Sequence, residues 1–208
     1  MQNTLQRTSD WRDVRSGRFT GSEIHKLLGA KGLGETGKSY AFEKAIEIVY
    51  GRNQEETFTS FDMQRGVDLE PIALEKLKQL KALEFINVEP CFFFPYEDNA
   101  GASPDAIVGD DACAELKAPR ATKFFKLVAK GEEVIDSEYV AQMQMEILCT
   151  NSQRCHFFNY IIYNGKPMWH EIVVQRDEKM IDFIKQRIKE AVEVRDEFVE
   201  TLKKNQQF

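Results

Sequence analysis

The chain has 208 residues, 42% of them hydrophobic, which is enough to fill a sizeable core and argues against a disordered polypeptide. No apolar run approaches the roughly 20 residues that cross a bilayer. Met1–Asp10 is polar and carries no signal-peptide core, so the expectation is a cytoplasmic protein with no membrane partner. A formal net charge of -6 argues against a uniformly basic nucleic-acid binder.

Thr20-Gly21-Ser22-Glu23 predicts the first helix, with Thr20 and Glu23 spaced as a capping box and Ile24, Leu27 and Leu28 as its apolar face. A glycine-rich loop follows from Lys31 to Lys38, and a second helix runs from Ser39 to Tyr50, stopped by Gly51. A third helix spans Asp62–Leu83, with a distortion expected at Pro71. The pattern then shortens: Val88–Phe94, Ala102–Val108 and Cys113–Ala118 read as strands, with Gly109-Asp110-Asp111 turning between the last two. Helices over Ala121–Ala129 and Ser137–Thr150 come next. Arg154–Tyr163 and Pro167–Gln175 then form a hairpin around Asn164-Gly165. The chain closes on a helix from Asp177 to Lys203, with Ile181, Ile184, Ile188, Ala191 or Val192, and Phe198 at helical spacing. No linker interrupts this order. The expectation is one α/β domain over residues 1–208, with a central mixed β-sheet flanked by helices.

Charge is unevenly spread. Residues 1–31 hold six basic groups against three acidic ones, and residues 115–131 hold five against Glu115 alone. These zones are either two solvated faces or the walls of a cationic channel. Lys123, Lys126 and Lys130 share one helix face that could track a phosphate backbone. Cys91, Cys113, Cys149 and Cys155 form no CxxC pair, so they read as buried free thiols, with neither a disulfide framework nor a zinc site.

The chemistry concentrates in Ser103-Pro104-Asp105 and Glu115-Leu116-Lys117. Strand alternation sends Glu115 and Lys117 to one face and Leu116 to the other, into the core. Asp105, ten positions before Glu115, starts the neighbouring strand, so a tight hairpin brings the two carboxylates together. They are hard oxygen ligands suited to Mg2+, beside an ammonium that can act on water or on charge developing at phosphorus. An ordinary Glu–Lys pair on an edge hairpin is the competing explanation. A second motif, Gly32 to Ser39, matches the P-loop pattern GxxxxGK[ST]. It follows a helix rather than a buried strand, which argues against an ATPase.

Pro104-Asp105 and Glu115-Leu116-Lys117 resemble the PD-(D/E)XK motif of restriction-endonuclease-like nucleases. The chain further resembles the lambda-exonuclease, or YqaJ-type viral recombinase, family. The resemblance runs through Arg15-Ser16-Gly17, Thr20 to Glu23, Arg65-Gly66 with Glu70, Ser103-Pro104-Asp105, Glu115-Leu116-Lys117, Tyr139 to Gln144 and Arg176 to Lys179. It implies a restriction-endonuclease-like fold. It also implies a magnesium-dependent 5′-to-3′ exonuclease, with Mn2+ able to substitute, that acts on linear double-stranded DNA, releases 5′-mononucleotides and leaves a 3′ single-stranded tail for recombination. Asp105, Glu115, the Leu116 main-chain carbonyl and Glu70 would hold metal. Lys117 would act on the attacking water, supported by Gln142. Arg15, Ser22 and Ser103 would hold the 5′-phosphate. A homotrimeric ring and a single-strand annealing protein are the implied partners. The alternatives are another nuclease of the same superfamily, such as a restriction-like endonuclease, or a non-catalytic DNA-end-binding module.

Overall fold

The computed structural model describes residues 9–52, 61–90 and 92–205. Short elements come first: helix α1 (Ser9–Asp13), strand β1 (Phe19–Thr20) and a 3-10 segment (Gly21–Leu27). Two long helices follow, α2 (Gly34–Tyr50) and α3 (Phe61–Leu83), then strands β2 (Val88–Pro90), β3 (Phe94–Tyr96), β4 (Ala100–Ala102), β5 (Ala106–Val108) and β6 (Ala112–Lys117). Helix α4 (Ala121–Lys130), a 3-10 turn (Gly131–Val134) and helix α5 (Ser137–Thr150) lead to the hairpin β7 (Arg154–Tyr163) and β8 (Lys166–Gln175), and α6 (Glu178–Lys204) ends the described chain.

The central sheet has five strands in the order β2-β5-β6-β7-β8. It is mixed because β6 and β7 run parallel while the other pairs run antiparallel. The parallel pair follows from chain order: α4 and α5 fill the crossover between β6 and β7, which a tight turn cannot make. A small second sheet, β1-β4-β3, lies alongside. Helix α3 packs through Leu77 on one face of the main sheet, against Leu116, Phe158 and Tyr160. Leu127 of α4 and Met143 and Ile147 of α5 cover the other face over Cys113, Cys155 and Phe157. Phe19, Ile24, Leu27, Tyr40 and the α6 stripe Ile184, Ile188 and Ala191 make a third core.

Several local expectations change. The segment after Thr20 is a 3-10 helix of seven residues, and the Thr20 side chain makes no cap hydrogen bond. Instead the Tyr40 hydroxyl accepts from the Thr20 amide at 3.1 Å, which draws this end of the segment onto α2. Helix α2 begins at Gly34 rather than Ser39, so much of the glycine-rich stretch is helical, and a helix N-cap at Leu33 needs no side-chain oxygen. Helix α3 runs continuously through Pro71, which is exposed, as is Val67; water can serve the Val67 carbonyl that loses its i+4 donor. The strand expected over Ala102–Val108 divides at Ser103-Pro104-Asp105 into β4 and β5, which join different sheets. The Val88–Phe94 strand divides likewise, and Cys91 within it lies outside the described residues. The Asn164-Gly165 hairpin forms as expected, with both turn residues at positive φ. Asp177 caps α6 by accepting from the Lys179 and Met180 amides at 2.9 and 3.2 Å.

Arg195 ties α6 to the N-terminal region. Buried, it donates to the Gly17 carbonyl at 3.0 Å and to Asn99 Oδ1 at 2.7 Å. Arg195→Met keeps the apolar stem and leaves both acceptors without this donor. Urea unfolding is expected to show a loss of about 2–3 kcal/mol, and an unchanged midpoint would show that neither contact matters to stability.

Candidate active site

The β5–β6 hairpin builds the centre of the site. The Asp105 amide donates to the Ala114 carbonyl at 2.9 Å, and the Leu116 amide donates to Asp105 Oδ2 at 2.7 Å. The carboxylate is thereby fixed across the hairpin before any ligand arrives. On β6 the alternation holds: Leu116 joins the core under α3, while Glu115 and Lys117 turn to the opposite face. Glu115 is only 3% exposed, and the Lys117 ammonium pairs with Glu115 Oε1 and sits 4.8 Å above the Tyr139 ring. Glu70, from α3, lines one cavity with Leu116 and Lys117 and adds its charge to the field at Asp105.

Burial, then the charges of Glu115 and Glu70, hold the Asp105 carboxyl well above its ordinary range, against the opposing pull of Lys117 and the Leu116 amide. Burial works to lower the Lys117 pKa, but Glu115 and Asp105 outweigh it, so the ammonium is favoured. Clustered acids that repel one another form a set that a bound divalent cation would relieve. Their donor atoms are all oxygen, which suits Mg2+ or Mn2+ over softer ions. Asp105, Glu115 and Glu70 are therefore the residues that could hold a metal.

Helix α5 backs this centre. Gln142 Nε2 donates to Glu146 Oε1 at 2.9 Å, and Glu146, 1% exposed, is pushed well up by burial and by Glu115, to which it is hydrogen-bonded. Gln142 thus reaches the centre through Glu146. Cys113, Glu146 and Cys155 bring ligand atoms within 4.8 Å of one another, all of them buried. This is a second possible metal cluster, although two sulfurs suit a thiophilic ion and not Mg2+. Cys113, Cys149 and Cys155 are free thiols.

Arg15 and Ser22 meet in a separate cavity of ≈ 300 Å³ that is also lined by Lys44, Arg52 and Tyr40 and by the acids Glu23, Glu43 and Glu47. Burial, with Arg52 adding to it, lowers the Arg15 guanidinium to about 10 although Tyr40 opposes the shift. A bound anion would reverse that cost. Ser103 is not in this lining, but Trp11 joins the two: its Nε1 donates to Ser103 Oγ at 3.0 Å, and Arg15 lies 4.0 Å over its ring. The i,i+4 spacing of Trp11 and Arg15 is the sequence signal for this link. Lys123 lines a further cavity beside Lys117 and pairs with Asp136, while Lys126 remains on the exposed face of α4. In the motif from Gly32 to Ser39, Lys38 pairs with Glu35 at 3.4 Å, and the motif follows the 3-10 segment and not a strand.

A mixed sheet with an aspartate immediately before one strand and Glu-x-Lys on the next, flanked by helices, defines a PD-(D/E)XK-type nuclease. The YqaJ-like viral recombinase domain matches residues 10–153, and the chain belongs to that family. An alkaline exonuclease, LHK-Exo from Laribacter hongkongensis, superposes with a TM-score of 0.80 at 25% identity, over 95% of this chain and 97% of that one. LHK-Exo in complex with dAMP gives the same TM-score and coverage at 24% identity. A phage related exonuclease from Haemophilus somnus 129PT shares the fold, with a TM-score of 0.72 at 18% identity over 89% of this chain and 96% of that one. No curated protein matches the chain.

The crowding at Asp105 has a measurable consequence. In a chelator, Asp105→Asn removes one of the repelling acids and is expected to stabilise the protein by about 1 kcal/mol, or ~2–4 °C in Tm. In Mg2+ the wild type should gain Tm by ligand linkage and the variant should not. Thermal scans in both buffers check this; equal metal-induced gains would remove Asp105 from the ligand set.

Proposed function

We propose that the chain is a divalent-metal-dependent exonuclease that degrades one strand of linear double-stranded DNA from its 5′ end. It would release 5′-mononucleotides and leave a 3′ single-stranded tail for recombination. The observation that carries this reading is the oxygen set of buried Glu115 with half-buried Asp105 and Glu70, around a hairpin that also presents Lys117. Membership of the family and the likeness to an alkaline exonuclease support it.

Asp105, Glu115, the Leu116 carbonyl and Glu70 would bind Mg2+, with Mn2+ able to replace it. When bound, the ion supplies Lewis-acid polarisation of the phosphate and a more acidic water. The chain's own residues do the rest. The Asp105–Leu116 hydrogen bond holds the first ligand in place. Lys117 orients the attacking water and donates to the phosphate oxygens as charge develops there. Gln142 and Glu146 support Glu115 from behind. Arg15 and Ser22, joined by Ser103 through Trp11, take the 5′-phosphate that each cut regenerates. Lys123 and Lys126 would meet the DNA backbone. We read residues 1–208 as one such domain acting in the cytoplasm; among the described residues no helix is long and apolar enough to cross a membrane. A homotrimeric ring around the DNA and a single-strand annealing partner complete the proposal. Enclosure would offset the weak electrostatic grip of a chain with net charge -6.

The decisive experiment digests linear duplexes labelled separately at each end, with 5′-phosphate or 5′-hydroxyl termini, in Mg2+. Wild type should release 5′-label first and prefer the phosphorylated end by roughly ten- to hundredfold. Arg15→Ala should erase that preference, and Lys117→Ala should abolish cleavage without loss of end binding. Release of 3′-label first, or no cleavage at all, would defeat the reading. Light scattering should give three times the 24.0 kDa chain mass; a concentration-independent monomer would discard the ring alone.

A further inference from the structure

We propose that Asn159 is a positioning residue for Lys117: its side-chain oxygen takes the Lys117 ammonium when a divalent cation claims Glu115. The inference rests on the nuclease reading above. Strands β6 and β7 are parallel, with Glu115 opposite Phe157 and Lys117 opposite Asn159. Facing residues of paired strands share a face, and the strands run about 4.8 Å apart, so Asn159 is the side chain beside Lys117. Both line a cavity of ≈ 530 Å³ with Tyr139 and Phe157.

Asn159 is 0% exposed, and its orientation is set by one contact: Nδ2 donates to the Phe157 carbonyl at 3.3 Å. Oδ1 then points elsewhere, buried and with no hydrogen-bond partner. Buried polar atoms nearly always have partners, and an orphaned one is destabilising, so this oxygen calls for a donor in another state of the protein. Among the other cations of the cavity, Lys123 is drawn to Asp136, Arg65 donates to the Ala118 carbonyl at 2.8 Å, and Arg120 is exposed and lies outside the β6–β7 register. Lys117 is the neighbour in register, and it holds Glu115, a proposed metal ligand. Once Glu115 turns to a cation, the ammonium keeps the Tyr139 face but loses its carboxylate. Asn159 Oδ1 offers a neutral acceptor that restrains the flexible lysine without competing for the metal. With the metal bound, Oδ1 gains a donor while Nδ2 keeps the Phe157 carbonyl.

A crystal structure of the full chain with Ca2+, a cation of the same ligand preference, tests the geometry directly. Lys117 Nζ should lie within about 3.2 Å of Asn159 Oδ1. An Oδ1 still without partner, or bonded to another group, overturns the proposal. Kinetics test the consequence. Asn159→Leu should lower kcat on 5′-phosphorylated duplex about a hundredfold, leave KM within about twofold, and leave calorimetric Mg2+ affinity unchanged. Asn159→Asp, which keeps an acceptor oxygen, should retain more of kcat than the leucine variant. If wild type fails to cut DNA, the nuclease reading falls. If wild type cuts and Asn159→Leu cuts equally well, only the role of Asn159 falls.

Discussion

The Leu116 amide donates to Asp105 Oδ2 across the β5–β6 hairpin, and the rest of the site is arranged around that bond. It fixes a carboxylate in a buried place, beside Glu115, where carboxylates repel each other. The arrangement persists because the hairpin is over-determined by its neighbours. β6 pairs on both sides, Leu116 is sunk under α3, and the opposite face is sealed by α4 and α5. A strand buried on both faces tolerates a charged residue only with partners. Lys117, Glu146 and the Leu116 amide are those partners here.

The chain break at Ser103-Pro104-Asp105 makes this possible. β4 belongs to the small sheet and β5 to the large one, so the segment between them sits where the two sheets meet. Ser103 faces Trp11 and, through it, Arg15; Asp105 faces Leu116. Three consecutive residues thereby connect the Arg15 cavity to the carboxylate cluster. Gly101 explains how the small sheet packs so closely: a Cβ there would fall 2.7 Å from the Phe94 carbonyl oxygen, closer than backbone can yield.

The electrostatics divide the site into two halves of opposite demand. At Asp105 crowded acids favour a cation, whereas at Arg15 desolvation disfavours the guanidinium charge and the neighbouring Glu23 and Glu47 oppose that cost. The sulfur-containing cluster of Cys113, Glu146 and Cys155 lies behind the acid half and has a different ligand preference.

Much of this was legible in the sequence. Period-two alternation in Ala114-Glu115-Leu116-Lys117 and the Asn164-Gly165 turn are decided by neighbours along the chain, so the strand faces and the β7–β8 hairpin could be read directly. The α6 stripe was visible for the same reason. Tertiary contacts decided the rest. The Tyr40 hydroxyl, twenty residues away, accepts from the Thr20 amide where a capping box was expected. Strands of three residues carry too little pattern to show that Ala102 and Ala106 join different sheets. Along the chain Asn159 is one polar residue in an apolar strand, and only the parallel register places it beside Lys117. Sequence determines which side chains share a face of one element. The crossover that sets one element against another depends on packing across the whole core, and that is where the neighbours of Arg15, Glu70 and Asn159 were settled.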